Sequence, residues 1–223
     1  VTVLDIRTDE DRAQWAIPGS IHLNAYDALK TGRPGALAGA ALPVDRPVVT
    51  VCNAGQVSQT AAALLAERGL DAWSLAGGMK AWSLAWNAAD VPLSDPSVRV
   101  VQVRRTGKGC LSYIVASGSD AAVIDPSVSA DVYVHLARRH GWSIRHVVET
   151  HVHADHLSRA RELAAQTGAA LVLPAQHRVT FAFTPIADGE RLVLGDARLT
   201  AMRMPGHTDE STSYVLNETA VFT

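Results

Sequence analysis

The chain has 223 residues, 48% of them hydrophobic and 19% charged, with a formal net charge of −2. That balance fits one or two globular domains, offers no basic stripe for nucleic acid, and contains no apolar run long enough to span a membrane. Its two cysteines, Cys52 and Cys110, are too few for a secreted disulfide scaffold, and with no signal-peptide pattern a reducing cytoplasm is the expected location.

The first predicted elements are a strand from Val1 to Ile6, a short helix from Asp9 to Gln14, a turn at Pro18-Gly19 and a strand from Val48 to Val51. A helix from Ser58 to Arg68 follows, with Ala61, Leu64 and Leu65 on one face and Gly69 as its stop. A strand from Ala72 to Leu75 leads through Gly77-Gly78 into a helix from Met79 to about Trp86. Strands alternating with helices predict a parallel sheet covered on both faces. The Pro- and Ser-rich stretch from Val91 to Ser97 is the expected linker, dividing the chain into domains at 1–93 and 98–223.

Longer strands are predicted beyond the linker, from Val98 to Arg104, Leu111 to Ala116 and Ala121 to Asp125, followed by an amphipathic helix from Ala130 to His140. The run His146 to Thr150 reads as a strand, Ser158 to Gln166 as a helix ended by Gly168, and Ala170 to Leu173 as a strand. Arg191 to Met204 reads as a hairpin around Gly195-Asp196, and Ser213 to Leu216 pairs with Ala220 to Thr223 across Asn217-Glu218.

Cys52 stands where an apolar strand ends and a helix is about to begin, in the loop Cys52-Asn53-Ala54-Gly55-Gln56-Val57-Ser58. Successive backbone N–H groups and the positive helix end can lower a thiol pKa there and stabilise a thiolate or persulfide. The alternative is a core cysteine at a strand end. Four segments carry a resemblance to the rhodanese (sulfurtransferase) family: Val3-Leu4-Asp5-Ile6-Arg7, Ile17-Pro18-Gly19-Ser20-Ile21-His22, the Cys52 loop, and Gly77-Gly78-Met79-Lys80-Ala81-Trp82. The resemblance implies that Cys52 carries a sulfane sulfur and passes it to a thiol or to sulfite, with the residues from Asn53 to Ser58 as the substrate cradle. Family loops that act on thiosulfate commonly contain arginine, which suits an oxyanion. This loop has Asn53 and Val57 there instead, so poor use of thiosulfate and a thiol persulfide partner are expected.

The densest chemistry lies in Thr150-His151-Val152-His153-Ala154-Asp155-His156, with a further histidine in Pro205-Gly206-His207-Thr208. Imidazoles and a carboxylate clustered this way are ligands for zinc or ferrous iron. His135, His140, His146 and His177 stand alone and are assigned to surface or core, and Cys110 is expected in the core. The pattern H-x-H-x-D-H followed by P-G-H-T resembles the metallo-β-lactamase superfamily. Ala154, where glyoxalase II enzymes usually have tryptophan, and the attached sulfurtransferase half bring it closest to the persulfide dioxygenases. The expected fold is therefore α/β, a small rhodanese-like domain followed by a partial αββα sandwich.

The resemblance implies one ferrous iron per chain, with zinc as the alternative, and places His151 and His207 as ligands. His153, Asp155 and His156 would be supporting groups or ligands of a second metal. The family's aspartate ligand would follow Thr223, so the chain is expected to be part of a longer protein, and Asp209 and Glu210 are expected to act as caps. The implied reaction takes a small thiol persulfide, such as glutathione persulfide, and dioxygen to sulfite and thiol, with Cys52 relaying sulfur to or from it. Sulfite or a thiol is the acceptor, and a homodimer is left open. The rivals are a dinuclear thioester hydrolase like glyoxalase II and a non-catalytic sulfur carrier or sensor.

Overall fold

A computed structural model of the chain describes residues 1–154 and 157–223. It contains two compact units, Val1–Ala85 and Trp86–Thr223. In the first, strands β1 (Thr2–Asp5), β2 (Ile21–His22), β3 (Val48–Val51) and β4 (Ala72–Ser74) form a parallel sheet in the order β2-β1-β3-β4. Helices α1 (Asp9–Gln14), α2 (Tyr26–Lys30), α3 (Gln56–Ala66) and α4 (Gly78–Trp82) complete the unit.

Both faces of this sheet are covered, as the strand-helix alternation requires. On one face Leu4, Ile6 and Val48 pack with Leu29, Ala61 and Leu65; on the other Val51 packs with Met79, Trp15 and Trp82. Helix α3 starts two residues earlier than the apolar periodicity implies, because Gly55, at φ +85°, turns the chain into the helix from the left-handed region. The two-residue strand β2 and the five-residue helix α2 are too short to show a period in sequence.

The second unit begins with an element the sequence reading lacked. Trp86–Val91, between an expected helix end at about Trp86 and a linker from Val91, is strand β5 and pairs antiparallel with β6 (Val98–Arg105). The Pro-Ser stretch is thus the connection of a hairpin, and the chain passes from one compact unit to the other at Ala85/Trp86. Only Val91 of β5 is even partly buried, so pairing rather than an apolar face makes this strand.

Strands β5 and β6, β7 (Leu111–Ser117), β8 (Asp120–Ile124), β9 (Ser143–Val148), β10 (Ala170–Pro174) and β11 (Thr184–Ile186) form a seven-stranded sheet in the order β11-β10-β9-β8-β7-β6-β5. Pairing is antiparallel from β5 to β8 and parallel from β8 to β11. The second sheet, β12 (Arg191–Leu194), β13 (Ala197–Arg203), β14 (Thr212–Leu216) and β15 (Ala220–Phe222), is antiparallel throughout.

Alternation along the central strands sorts side chains between two cores. Val101, Val103, Ile114, Ala121 and Val123 face α5 (Ala130–Arg139) and α6 (Ala160–Thr167), meeting Tyr133, Leu136 and Leu163. Val100, Val115, Ala122, Ile124 and Val148 face the second sheet, meeting Leu199, Ala201, Tyr214 and Leu216. Within this unit the layers run helix, sheet, sheet, with α5 and α6 both packed on the seven-stranded sheet. No helix is long and apolar enough to cross a membrane among the described residues.

Candidate functional sites: a thiol cradle and a histidine centre

In the first unit Cys52 ends β3 and is 2% exposed. Its Sγ accepts hydrogen bonds from the backbone N–H groups of Gly55 (3.2 Å) and Ser58 (3.4 Å), and Ser58 Oγ lies 3.3 Å away. Burial alone raises the thiol pKa, but the Ser58 hydroxyl and these amides outweigh it and hold the thiol below its ordinary value. Gly55 and Ser58 are buried beneath the sulfur, Asn53 and Val57 are half-buried, and Ala54 and Gln56 are exposed on the rim.

The Gly77-Gly78 turn clamps this loop. A Cβ on Gly78, at φ +58°, would sit 2.6 Å from Gly55 N and 2.8 Å from the Asn53 carbonyl carbon, so only glycine fits. The carbonyls of Cys52 and Asn53 in turn accept from Met79 N (2.8 Å) and Lys80 N (3.0 Å) at the start of α4. Asn53 also donates through Nδ2 to Asp11 Oδ2 at 2.6 Å. An acidic side chain therefore lies at the edge of a cradle in which the sequence shows no arginine.

In the second unit the C-terminal ends of the adjacent parallel strands β8 and β9 deliver the polar residues, the usual place for a site in such a sheet. Asp125 follows β8 with φ +50°, a conformation aspartate tolerates. Its Oδ1 accepts from Thr150 N and its Oδ2 from the Thr150 hydroxyl, both at 2.7 Å. Because that hydroxyl spends its hydrogen on Asp125, it accepts from His151 Nδ1, 2.9 Å away. His151 is thereby fixed as the tautomer whose Nε2 carries the lone pair.

His153 is oriented the opposite way. Its Nε2 lies 3.1 Å from Asp125 Oδ1 and 3.0 Å from Glu149 Oε2, with Nδ1 on the other side of the ring from these carboxylates. Ser158 makes a short hydrogen bond to Glu149 Oε1, and the Glu149 carbonyl accepts from the Tyr214 hydroxyl at 3.0 Å. The ring of His151 lies 4.1 Å from that of His153 and 4.9 Å from that of His207, centroid to centroid. The three imidazoles that the sequence picked out are brought together.

The charges of this cluster are unbalanced. Burial raises the Glu149 carboxyl, the Asp125 charge adds to it, and the result is about 7 despite the opposing His153. Burial lowers His153, but the two carboxylates prevail and push it up to about 10. Asp125 is raised by burial yet held down overall by His153 and Thr150. Two buried carboxylates around one imidazole thus retain a proton, the positive charge that a cation on the histidine side would supply instead.

Asp125, Glu149 and His153 have ligand atoms close enough to hold an ion themselves. Asp125 and His153 Nε2 are already bonded to one another, and Asp125 also to Thr150, so an ion held by this group would replace existing bonds, while the rings of His151 and His207 lie beside it. Asp155 and His156, the remaining sequence candidates, lie outside the described residues.

Two expectations change. Glu210 is not a cap: it is buried, with Oε1 accepting from Val152 N at 3.2 Å and Oε2 from Arg178 at 2.7 Å, so it ties the turn after His207 to the histidine loop. Cys110 is half-exposed in the turn before β7, where its carbonyl accepts from Arg105 N, rather than in the core. Sequence reasoning also missed Asp125, Glu149, Thr150 and Ser158. For Asp125 a signal existed, an Asp-Pro pair ending a strand; for the others there was none.

Residues 1–85 match the rhodanese-like domain and residues 105–192 the metallo-beta-lactamase superfamily. Curated relatives include a hydroxyacylglutathione hydrolase of Methylococcus capsulatus, 38% identical over 106 residues, covering 47% of this chain and 41% of the relative. One of Rhodospirillum rubrum is 33% identical over 118 residues, covering 52% and 41%. The chain spans about two fifths of the length of these relatives, 41% in each case. Among solved structures, ETHE1 from Myxococcus xanthus superposes with a TM-score of 0.51 at 28% identity, over 55% of each chain. The chain therefore carries a rhodanese-like domain followed by a domain of the metallo-β-lactamase superfamily.

Proposed function

We propose that the protein is an enzyme of sulfur metabolism, a persulfide dioxygenase joined to a sulfur-carrying cysteine. A thiol persulfide, dioxygen and water would give the free thiol and sulfite, which balances as R–S–SH + O2 + H2O → R–SH + H2SO3. The observation that carries this is the pairing in one chain of a donor-lined thiol at Cys52 with the convergence of His151, His153 and His207. The likeness to ETHE1 supports the dioxygenase branch.

A metal would be held by His151 and His207, with His153 beside them and Asp125 and Glu149 behind. Ferrous iron bound there would supply the redox chemistry for oxygen transfer to sulfur. The chain's own residues do the rest. Asp125 and Thr150 fix the tautomer of His151, and Asp125 with Glu149 orients the ring of His153, which would give up its extra proton when a cation takes that charge's place. Cys52 accepts sulfane sulfur and passes it to a thiol or to sulfite. Asp11, held at the cradle by Asn53, disfavours the dianion thiosulfate and leaves a thiol persulfide as the better donor.

The curated relatives, named hydroxyacylglutathione hydrolases, favour a second reading, hydrolysis of a glutathione thioester, for which two zinc ions would supply a hydroxide nucleophile. Oxygen uptake with glutathione persulfide by iron-loaded protein, measured beside metal content, separates the two. One iron per chain and persulfide-dependent uptake are expected; two zinc ions per chain with thioester cleavage and no uptake would overturn the dioxygenase reading.

A further inference from the structure

Ser74 ends the edge strand β4. Its Oγ lies 2.8 Å from Ser58 Oγ and 3.5 Å from the Gly55 carbonyl oxygen, and Ser58 Oγ lies 3.3 Å from Cys52 Sγ. Thr50 fixes this arrangement from below, its hydroxyl lying 2.7 Å from the Ser58 carbonyl and 3.1 Å from that of Trp73. The two serines and the cysteine thus come from α3, β4 and the end of β3 and are held in register.

Each hydroxyl has one hydrogen, so the charge on sulfur sets the direction of the whole chain. A protonated thiol can donate to Ser58, which donates to Ser74, which donates to the Gly55 carbonyl. A thiolate or an anionic persulfide only accepts. Ser58 then turns its hydrogen to the sulfur, its oxygen accepts from Ser74, and the Gly55 carbonyl gives up its donor. Two side-chain rotations therefore follow the sulfur's charge, while the amides of Gly55 and Ser58 stay aimed at it throughout.

We propose that Ser74 is a positioning residue for sulfur transfer, supplying through Ser58 the hydrogen that stabilises the anionic states of the sulfur on Cys52. This rests on the reading of Cys52 as a sulfur carrier. In the step itself the Cys52 thiolate attacks the terminal sulfur of a thiol persulfide. A new S–S bond forms to Cys52, the donor's S–S bond breaks, and the donor leaves as its thiolate with the electron pair. No oxidant or reductant is consumed. The persulfide left on Cys52 ionises into the same set of donors.

Other charges do not take this part. Helix α3 carries no titratable side chain. From α1, the Asp11 carboxylate bonds Asn53; from α4, Lys80 bonds Asn53 through its backbone; and at the end of β1, Asp5 is paired with Arg7 and Arg12. Among the described residues none of these is bonded to the sulfur or to either serine hydroxyl.

The test compares Ser74→Val with Ser74→Thr, two side chains of nearly equal shape that suit a strand, only one of which has a hydroxyl. In a Cys110→Ser background, Cys52 is the remaining thiol. The rate of alkylation against pH gives its apparent pKa, and mass spectrometry follows sulfur uptake from glutathione persulfide. For Ser74→Val the pKa is expected to rise by about half to one unit and uptake at neutral pH to slow by roughly three- to tenfold, with Ser74→Thr close to wild type. Equal behaviour of the two variants, shifted or unshifted, would overturn the proposal. If wild type takes up no sulfur the carrier reading fails, and the alkylation profiles still decide the role of Ser74.

Discussion

The thiol cradle and the histidine centre solve the same problem, holding a reactive group in a fixed electrostatic setting, with opposite construction. The cradle draws its sulfur donors from seven consecutive residues, Cys52 to Ser58, and mostly from backbone amides. The centre is assembled from the ends of β8 and β9, the turn between β13 and β14, and a serine before α6, through side chains. A backbone cradle follows from local turn geometry and relies on few side chains, Ser58 and Ser74 among them. A side-chain centre depends on residues far apart in sequence, so single substitutions should damage it more.

The largest expected effect probes that difference directly. Asp125 receives three hydrogen bonds, two from Thr150 and one from His153, and positions two of the three converging histidines. Asp125→Ala leaves the buried Thr150 amide without its acceptor and His153 with Glu149 as its one remaining carboxylate partner, at a cost of about 3–5 kcal/mol in unfolding free energy. Affinity for zinc, measured by competition with a chelator, is expected to fall about 10- to 100-fold. An Asp125→Ala protein with wild-type stability and zinc affinity would show that the histidines orient themselves.

Each construction also decides what could be read from sequence. The Cys52 loop was legible because its working parts are contiguous and its clamp, Gly77-Gly78, is a glycine pair whose second member sits where a Cβ would strike the loop. His151, His153 and His207 were legible because imidazoles at short spacing have few structural reasons to cluster. Asp125 and Glu149 were not, because a lone carboxylate at a strand end looks like any surface acid until the parallel pairing of β8 with β9 sets it beside the histidine loop. Strand β5 was missed for a related reason: its partner β6, not its own exposed side chains, makes it a strand.

The first unit has its own buried charge pair, and its effect is read as a pH slope. Asp5, fully buried, accepts from Arg7 N, Nε and Nη2 at 3.1, 2.9 and 2.7 Å, with Arg12 at 3.2 Å. Burial raises its carboxyl, but the Arg7 bonds and the two guanidinium charges hold it below the ordinary value. A depressed folded pKa contributes stability that is complete above the unfolded value of about 4 and is lost as pH falls through the folded one. Wild type should therefore lose more stability between about pH 6 and pH 3 than Asp5→Asn, whose residue does not titrate. Parallel urea midpoints for the two proteins across that range would show instead that the pair does not govern acid unfolding.

The smallest effect is expected at the rim of the histidine centre. Arg178 bonds Glu210 at 2.7 Å, but its side chain is 52% exposed while that of Glu210 is 5% exposed. Solvent screens the pair, and a half-exposed arginine contributes no more than about 1 kcal/mol. Glu210 keeps its second anchor in Arg178→Ala, because Oε1 still accepts from Val152 N. The melting temperature should therefore change by only a few degrees and zinc affinity by less than about threefold. A loss as large as that of Asp125→Ala would mean that the centre is held from its rim as firmly as from its core, and the contrast with the self-contained cradle would then extend to every charged contact of the histidine loop.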